Sequence, residues 1–455
     1  MDLNHLTRRR LLTGASVTGG LTAMGLGLGQ LAMAAGARAA ETPGGAITEN
    51  ANETGAWYEL GLMEDFILEQ VLVYYLGHTW QGLADVSECL DAANRVVPGD
   101  KWSWARTWEQ TAQRVQGMAE SYLAAGHEES AGQAFMRASN YYIASLHRHP
   151  DWRHESTKRM TQASIACFRQ GVKNLGFPVE EVRIPYEDTY LPGYFYRSPL
   201  AGDSAPTMII FNGRDAWASQ DHVLAEAGIR RGYHVLNFDG PGQGPVLRLQ
   251  RLPFRPDWNR VVTPVVDFTL GIEGVDPKRI GVMGISMGGH LAPQAACFEH
   301  RPKVYVANPP SVDWSKVTEI TIRQLLGDEG YALADTDPAG FDALIYELGK
   351  SSPLLEWGID DTMWKHGAST PTDMIRELRR FEFSDHAGKI RSKMLFMHGV
   401  DDEWAQIDWL QKLLPKPAYL EVFDTESTGQ LHCQTGAWAI LCERLYNWLD
   451  DNLKV

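Results

Sequence analysis

One serine pentapeptide and its flanks constrain this chain more than anything else in it. Gly284-Ile285-Ser286-Met287-Gly288 follows an apolar run at 280–283 and opens a segment with helical patterning at 287–298. A strand that turns straight into a helix at a serine is a strained elbow. Glycines on both sides let strand and helix approach closely. The hydroxyl then stands exposed at a helix N-terminus, where backbone N–H groups and the helix dipole favour developing negative charge. The surrounding sequence has the architecture such an elbow needs. Short apolar runs at 207–211, 234–238, 304–307, 393–397 and 419–423 alternate with helical patterns at 259–270, 404–414 and 437–453. Continuous apolar runs are expected of strands buried on both faces, and their alternation with helices implies a mostly parallel sheet with helices on both sides. Two further short strands, at 182–186 and 191–196, read as a hairpin in front of that sheet.

A serine hydroxyl is a poor nucleophile at neutral pH and needs a base. In a sheet of this kind the acid and base follow the serine in the order Asp or Glu, then His, each in a loop after a late strand. The stretch Phe396-Met397-His398-Gly399-Val400-Asp401-Asp402 supplies the acid, with Asp402 the first choice and Asp401 the alternative. The loop 424–434 after the last strand contains a single histidine, His432, which is the expected base. His398 and His290 are read as structural. Two backbone N–H groups are expected to hold the oxyanion. One is Met287, after the serine. The other comes from Asn212-Gly213-Arg214-Asp215, with Arg214 first and Gly213 second, and the side chains there are expected only to close the turn.

The remaining sequence divides into four parts: 1–39, 40–56, 57–176 and 177–455. In 1–39, Thr7-Arg8-Arg9-Arg10-Leu11-Leu12 resembles a twin-arginine export motif, a Gly-rich apolar stretch follows, and Ala37-Arg38-Ala39 offers a cleavage site. Export through the twin-arginine machinery to a periplasmic or secreted location is therefore expected. Residues 40–56 read as a linker and 57–176 as an all-helical cap domain, with a helical hairpin broken at Gly126. Residues 177–455 form the catalytic domain, with a mostly helical insertion at about 313–381. The formal net charge is −15 although the first segment is basic. Such a surface repels nucleic acid. The five cysteines are widely spaced and form no CxxC pair or Cys/His cluster, so neither a metal site nor a cofactor is expected. Cys433 stands out because it follows His432 directly.

These motifs occur together with Asp239-Gly240-Pro241-Gly242-Gln243-Gly244, Leu431-His432-Cys433-Gln434, Gly99-Asp100-Lys101-Trp102-Ser103-Trp104, Ile184-Pro185-Tyr186-Glu187 and Leu191-Pro192-Gly193-Tyr194. In that combination the chain resembles the α/β-hydrolase superfamily, in the branch of 2,6-dihydroxypseudooxynicotine hydrolase and the fungal hydrolases that shorten aromatic polyketides. The resemblance covers nearly everything after the export segment. It implies an α/β-hydrolase fold with the helical domain packed over the active site, and a homodimer. It also implies a small-molecule substrate cleaved at an ester or at a carbon–carbon bond beside a ketone. A peptidase of the oligopeptidase type and a non-catalytic ligand-binding homologue are the alternatives. No bladed repeat precedes the catalytic region as the first would need, and the second has no need for Ser, Asp and His together.

Overall fold

The computed structural model describes residues 57–454, so the expected export segment and linker lie outside the described residues. A helical layer comes first, made of α1 (Phe66–Gly77), α2 (Val86–Arg95), α3 (Ser103–Ala124), α4 (Glu128–His147) and α5 (Glu155–Asn174). The Asp65 carboxylate starts α1 by accepting the N–H groups of Ile67 and Leu68. The helix is apolar on most faces and is largely buried. The α3–α4 turn is at Gly126, whose φ of +81° is a left-handed conformation that glycine adopts without strain. Most of α4 is buried because α3 and α5 flank it. Trp104 Nε1 ties α3 to the Ala144 carbonyl at 2.8 Å, and Ser139 Oγ ties α4 to the Ser164 carbonyl of α5 at 2.9 Å.

The second part opens with the hairpin β1 (Val179–Tyr186) and β2 (Thr189–Tyr196). Then follow β3 (Ala205–Phe211), α6 (His222–Ile229), β4 (His234–Phe238), α7 (Asn259–Leu270), β5 (Val275–Ile285), α8 (Gly288–Ala296) and β6 (Val304–Asn308). The inserted helices follow: α9 (Ser315–Thr336), α10 (Pro338–Gly349), α11 (Pro353–His366) and α12 (Pro371–Leu378). The chain ends with α13 (Ser384–Ala387), β7 (Lys393–Gly399), α14 (Ile407–Leu413), β8 (Tyr419–Phe423) and α15 (Trp438–Asn452). The sheet order is β1-β2-β4-β3-β5-β6-β7-β8. β2 is antiparallel to both its neighbours and every other pairing is parallel.

Strand alternation sorts the core into two layers. Ile209, Phe211, Leu236 and Val282 face α7, α8 and the inserted helices. Met208, Ile210, Val235 and Met283 face α6 and α15, where Met136, Phe168 and Val172 of the helical layer join them. The insertion is closed at its neck by a bridge between Asp313 and Glu382 and by Trp314 N–H donating to the Phe381 carbonyl at 2.9 Å.

Three local expectations shift. The helix at 222–229 leaves no periodic trace in the sequence, because eight residues that are nearly all buried carry no amphipathic period. The helix expected at 404–414 starts only at Ile407, because Trp404 N–H is held by the Asp402 side chain at 3.2 Å in the preceding turn. The strand expected at 280–283 extends back to Val275, which pairs with Ala205 across a bulge. Among the described residues, no helix is long and apolar enough to cross a membrane.

Candidate active site

The residues singled out from sequence lie at the carboxyl ends of the parallel strands, where ligands bind in open sheets of this kind. Ser286 follows β5 with φ +59°, a conformation that costs a non-glycine residue about 1–3 kcal/mol. The surrounding backbone holds it there. Ser286 N–H donates to the Asn308 carbonyl at 2.6 Å, and its own carbonyl accepts the Gly289 N–H at 2.8 Å. Close approach dictates the glycines. A Cβ on Gly284 would sit 2.0 Å from the Gly288 oxygen, and one on Gly289 would sit 1.9 Å from the Pro309 oxygen.

His432 stands in a short turn, His432–Gln434, after β8. Its Nε2 is 3.0 Å from Ser286 Oγ and its Nδ1 is 2.7 Å from Asp402 Oδ2. Asp402 is buried at the end of β7, and its other oxygen accepts the Trp404 N–H. Asp401, the alternative acid, points elsewhere: its carboxylate accepts from the Tyr58 hydroxyl at 3.5 Å. Burial by itself would push the His432 imidazole down, but the adjacent Asp402 carboxylate more than offsets this, and the pKa stands well above the ordinary value. The Trp404 ring packs on the imidazole, with ring centroids 4.3 Å apart.

Several residues in this arrangement carry no local sequence signal. Asn308, at the end of β6, joins the serine elbow to the histidine turn. Its carbonyl accepts from both Ser286 N and, at 3.3 Å, Cys433 Sγ, while its Nδ2 donates to Gln434 Oε1 at 2.9 Å. Cys433 Sγ also lies 3.3 Å from His432 Nε2; burial pushes this thiol up, so it stays protonated. His290 is buried beside Phe381 and Phe383, away from the serine–histidine contact.

The loop after β3 sits directly on the elbow. A Cβ on Gly213 would meet Met287 N at 2.5 Å. Among the described residues, neither the Met287 nor the Arg214 backbone N–H has an acceptor. The Asp239–Gly244 loop braces this segment, with Gln243 Nε2 donating to the Asn212 carbonyl and its Oε1 accepting the Gly240 N–H at 2.7 Å.

The side chains of this loop do more than close a turn, contrary to expectation. Arg214 Nη2 reaches Asp361 of α11 at 2.8 Å, and Asp215 accepts from Lys365 of α11 at 2.6 Å. Lys365 also meets Asp361 at 2.9 Å. Burial opposes the charge on Asp215, but Lys365 foremost, with the histidine and arginines nearby, holds its carboxyl well below the usual range. Loop and insertion thus meet through buried charges beside the elbow. Among the described residues, no cluster of three or more His, Cys, Asp or Glu is arranged to hold a metal ion.

Residues 191–440 match the family described as Alpha/beta hydrolase family. A hydrolase of Fusarium sp., LUC6, is 29% identical over 397 residues, covering 82% of this chain and 93% of its own. The 20-hydroxy-prefusarin hydrolase FUS2 of Gibberella moniliformis is 28% identical over 394 residues, covering 82% and 93%. The crystal structure of 2,6-dihydroxy-pseudo-oxynicotine hydrolase superposes with a TM-score of 0.63 at 20% identity, covering 83% of this chain and 95% of that one. That likeness extends across the helical layer as well as the sheet.

Proposed function

Since the chain belongs to the alpha/beta hydrolase family, we propose that it is a serine hydrolase working through an acyl-enzyme on Ser286. The observation that carries this reading is the continuous relay from Asp402 Oδ2 to His432 Nδ1 at 2.7 Å and from His432 Nε2 to Ser286 Oγ at 3.0 Å. Ser286 Oγ attacks a carbonyl carbon while His432 Nε2 takes its proton. Asp402 holds the ring with Nδ1 protonated and stabilises the imidazolium that forms. The oxyanion is received by the unengaged N–H groups of Met287 and Arg214, whose acceptor positions are free for it. His432 then returns the proton to the leaving group, and water repeats the sequence in reverse to release the acid. Cys433 Sγ lies 3.3 Å from the same Nε2, and burial pushes its thiol up.

The substrate is a small molecule, cleaved at an ester or at a carbon–carbon bond beside a ketone. The hydrolase names of the relatives support the class, and the 20-hydroxy-prefusarin hydrolase among them supports a small-molecule substrate. A fluorophosphonate probe tests the nucleophile: the wild type labels at Ser286, and Ser286→Ala neither labels nor turns over an aryl ester. Labelling at any other residue, or full activity in Ser286→Ala, refutes the reading. A panel of aryl esters and aryl β-diketones then decides which bond is cleaved.

A further inference from the structure

The loop expected to receive the oxyanion is anchored by side chains on both sides of its exposed peptide. On the near side, Asn212 Nδ2 donates to Asp221 Oδ2 at 2.6 Å, and the Asn212 carbonyl accepts from Gln243 Nε2. Gly213 then lies so close to the elbow that a Cβ on it would stand 2.5 Å from Met287 N and 2.9 Å from the Ser286 Cβ. On the far side, the consecutive residues Arg214 and Asp215 are both engaged by α11. Arg214 Nη2 donates to Asp361 Oδ2 at 2.8 Å and to Thr362 Oγ1 at 3.1 Å. Asp215 Oδ1 accepts from Lys365 Nζ at 2.6 Å, and the same ammonium meets Asp361 at 2.9 Å. Asp361 and Lys365 stand four residues apart, which puts them side by side on one helix face. The chain of contacts thus leaves the loop at Arg214, crosses that face and returns at Asp215. The side chains of the four charged residues are each at most 8% exposed.

Such a network adds little to stability. Taking charges out of water costs about as much as their attraction returns, and apolar side chains of similar volume often hold a fold as well. What fixed donors and acceptors add is position, which a site that must meet developing charge requires. α11 is itself held in place. Phe254 N–H donates to the Lys365 carbonyl at 2.9 Å, Arg153 grips both oxygens of Asp360 at 3.2 Å, and Trp364 stacks on Trp152 of the helical layer at 4.9 Å. Between the two anchored sides lies the peptide that carries the Arg214 N–H, the donor without an acceptor among the described residues. We propose that Asp361, Thr362 and Lys365 are positioning residues of the oxyanion hole, which aim the Arg214 N–H at the substrate oxygen by holding the side chains of Arg214 and Asp215. This rests on the serine hydrolase reading of the same site. Among the described residues, the network shares no hydrogen bond with the relay of Asp402, His432 and Ser286, so breaking it leaves the base as it was.

Two measurements test it, each with a thermal melt to show that the variant is folded. The first is hydrogen exchange of the backbone amides at 212–217, which needs no activity. In Asp361→Asn and in Lys365→Met, exchange there should quicken by at least about tenfold, while 284–290 and 430–434 keep the wild-type rates. The second is steady-state turnover of one aryl ester. The kcat should fall by about 10- to 100-fold, a part of the roughly 10²- to 10³-fold that losing a whole oxyanion donor costs. KM should stay within about threefold of the wild type, and the acid limb of the pH profile should not move, because it belongs to His432. If a charge variant does not fold, Thr362→Val carries the test, since it leaves every charge in place. It should quicken exchange at 212–217 and lower kcat by about 3- to 10-fold, the range for one hydrogen bond. Unchanged exchange at 212–217, unchanged kcat, or a loss that falls on KM overturns the proposal even if fluorophosphonate still labels Ser286. Faster exchange in the variants of a protein whose wild type neither labels nor turns over an ester upholds the brace and refutes the hydrolase reading instead.

Discussion

Replacing Asp402 by Asn tests the relay at its most specific point. In the wild type, Oδ2 faces His432 Nδ1 at 2.7 Å while Oδ1 accepts the Trp404 N–H at 3.2 Å. An asparagine in the same rotamer keeps its carbonyl oxygen on the Trp404 N–H and turns its NH2 toward Nδ1. Nδ1 must then accept, so the neutral ring carries its proton on Nε2, where it can no longer take one from Ser286. The imidazolium also loses its counter-charge. An opposite charge at about 4 Å is worth roughly 4 kcal/mol at the effective dielectric of a protein. With the inverted tautomer, the loss in kcat should reach about 5 kcal/mol, or near 10⁴-fold. Asp401→Asn should cost less than about tenfold, because its carboxylate meets Tyr58 and not the imidazole. Steady-state rates of both variants on one aryl ester measure the difference, with a thermal melt of each to show it is folded. The pH profile gives a second reading. The base works only when neutral, so activity rises as pH passes through the His432 pKa. Asp402 holds that pKa well above the ordinary value, so the acid limb of the wild type lies above about 6.5. In Asp402→Asn the residual activity should have its acid limb at lower pH. A crippled Asp401→Asn beside an active Asp402→Asn, or an acid limb that does not move, would refute the assignment.

Gly289→Ala should destabilise the protein by about 1–3 kcal/mol, because its Cβ meets the Pro309 oxygen at 1.9 Å and only backbone can move to relieve it; an unchanged urea midpoint would contradict the packing described. A chain beginning at Phe177 should aggregate and fail to label with fluorophosphonate, since it strips Met136, Phe168 and Val172 from one face of the sheet; normal turnover would make the helical layer an accessory. We also propose export by the twin-arginine route, so that Lys at both Arg8 and Arg9 leaves the precursor in the cytoplasm, and unchanged export of that double variant would sink the idea.

What could be read from the sequence and what could not divide along one physical line. The central strands are buried on both faces, so β3, β4, β6 and β7 stand out as mostly apolar runs, whereas β8 is an edge strand and mostly exposed. The Ser286 elbow is a local motif whose glycines are set by contacts within a few residues of one another or across to the next strand end. Strand order along the chain then leaves one loop each for the acid and for the base. Which aspartate serves as acid, however, is a matter of one residue in a tight turn. It is decided by where β7 ends, with Asp402 N–H on Gly399 and Asp401 N–H on Gln430. Asn308 is legible only once β5, β6 and the histidine turn are brought together. The partners of the oxyanion loop are further still from local pattern: Lys365 and Asp215 are 150 residues apart, and nothing in either neighbourhood marks the other. Local backbone preference and burial leave periodic traces in a sequence, whereas an ion pair or a shared acceptor depends on two distant segments meeting. Only the folded chain decides that meeting, and in this protein it decides which aspartate meets His432, the brace at Asn308 and the buried charges beside Ser286.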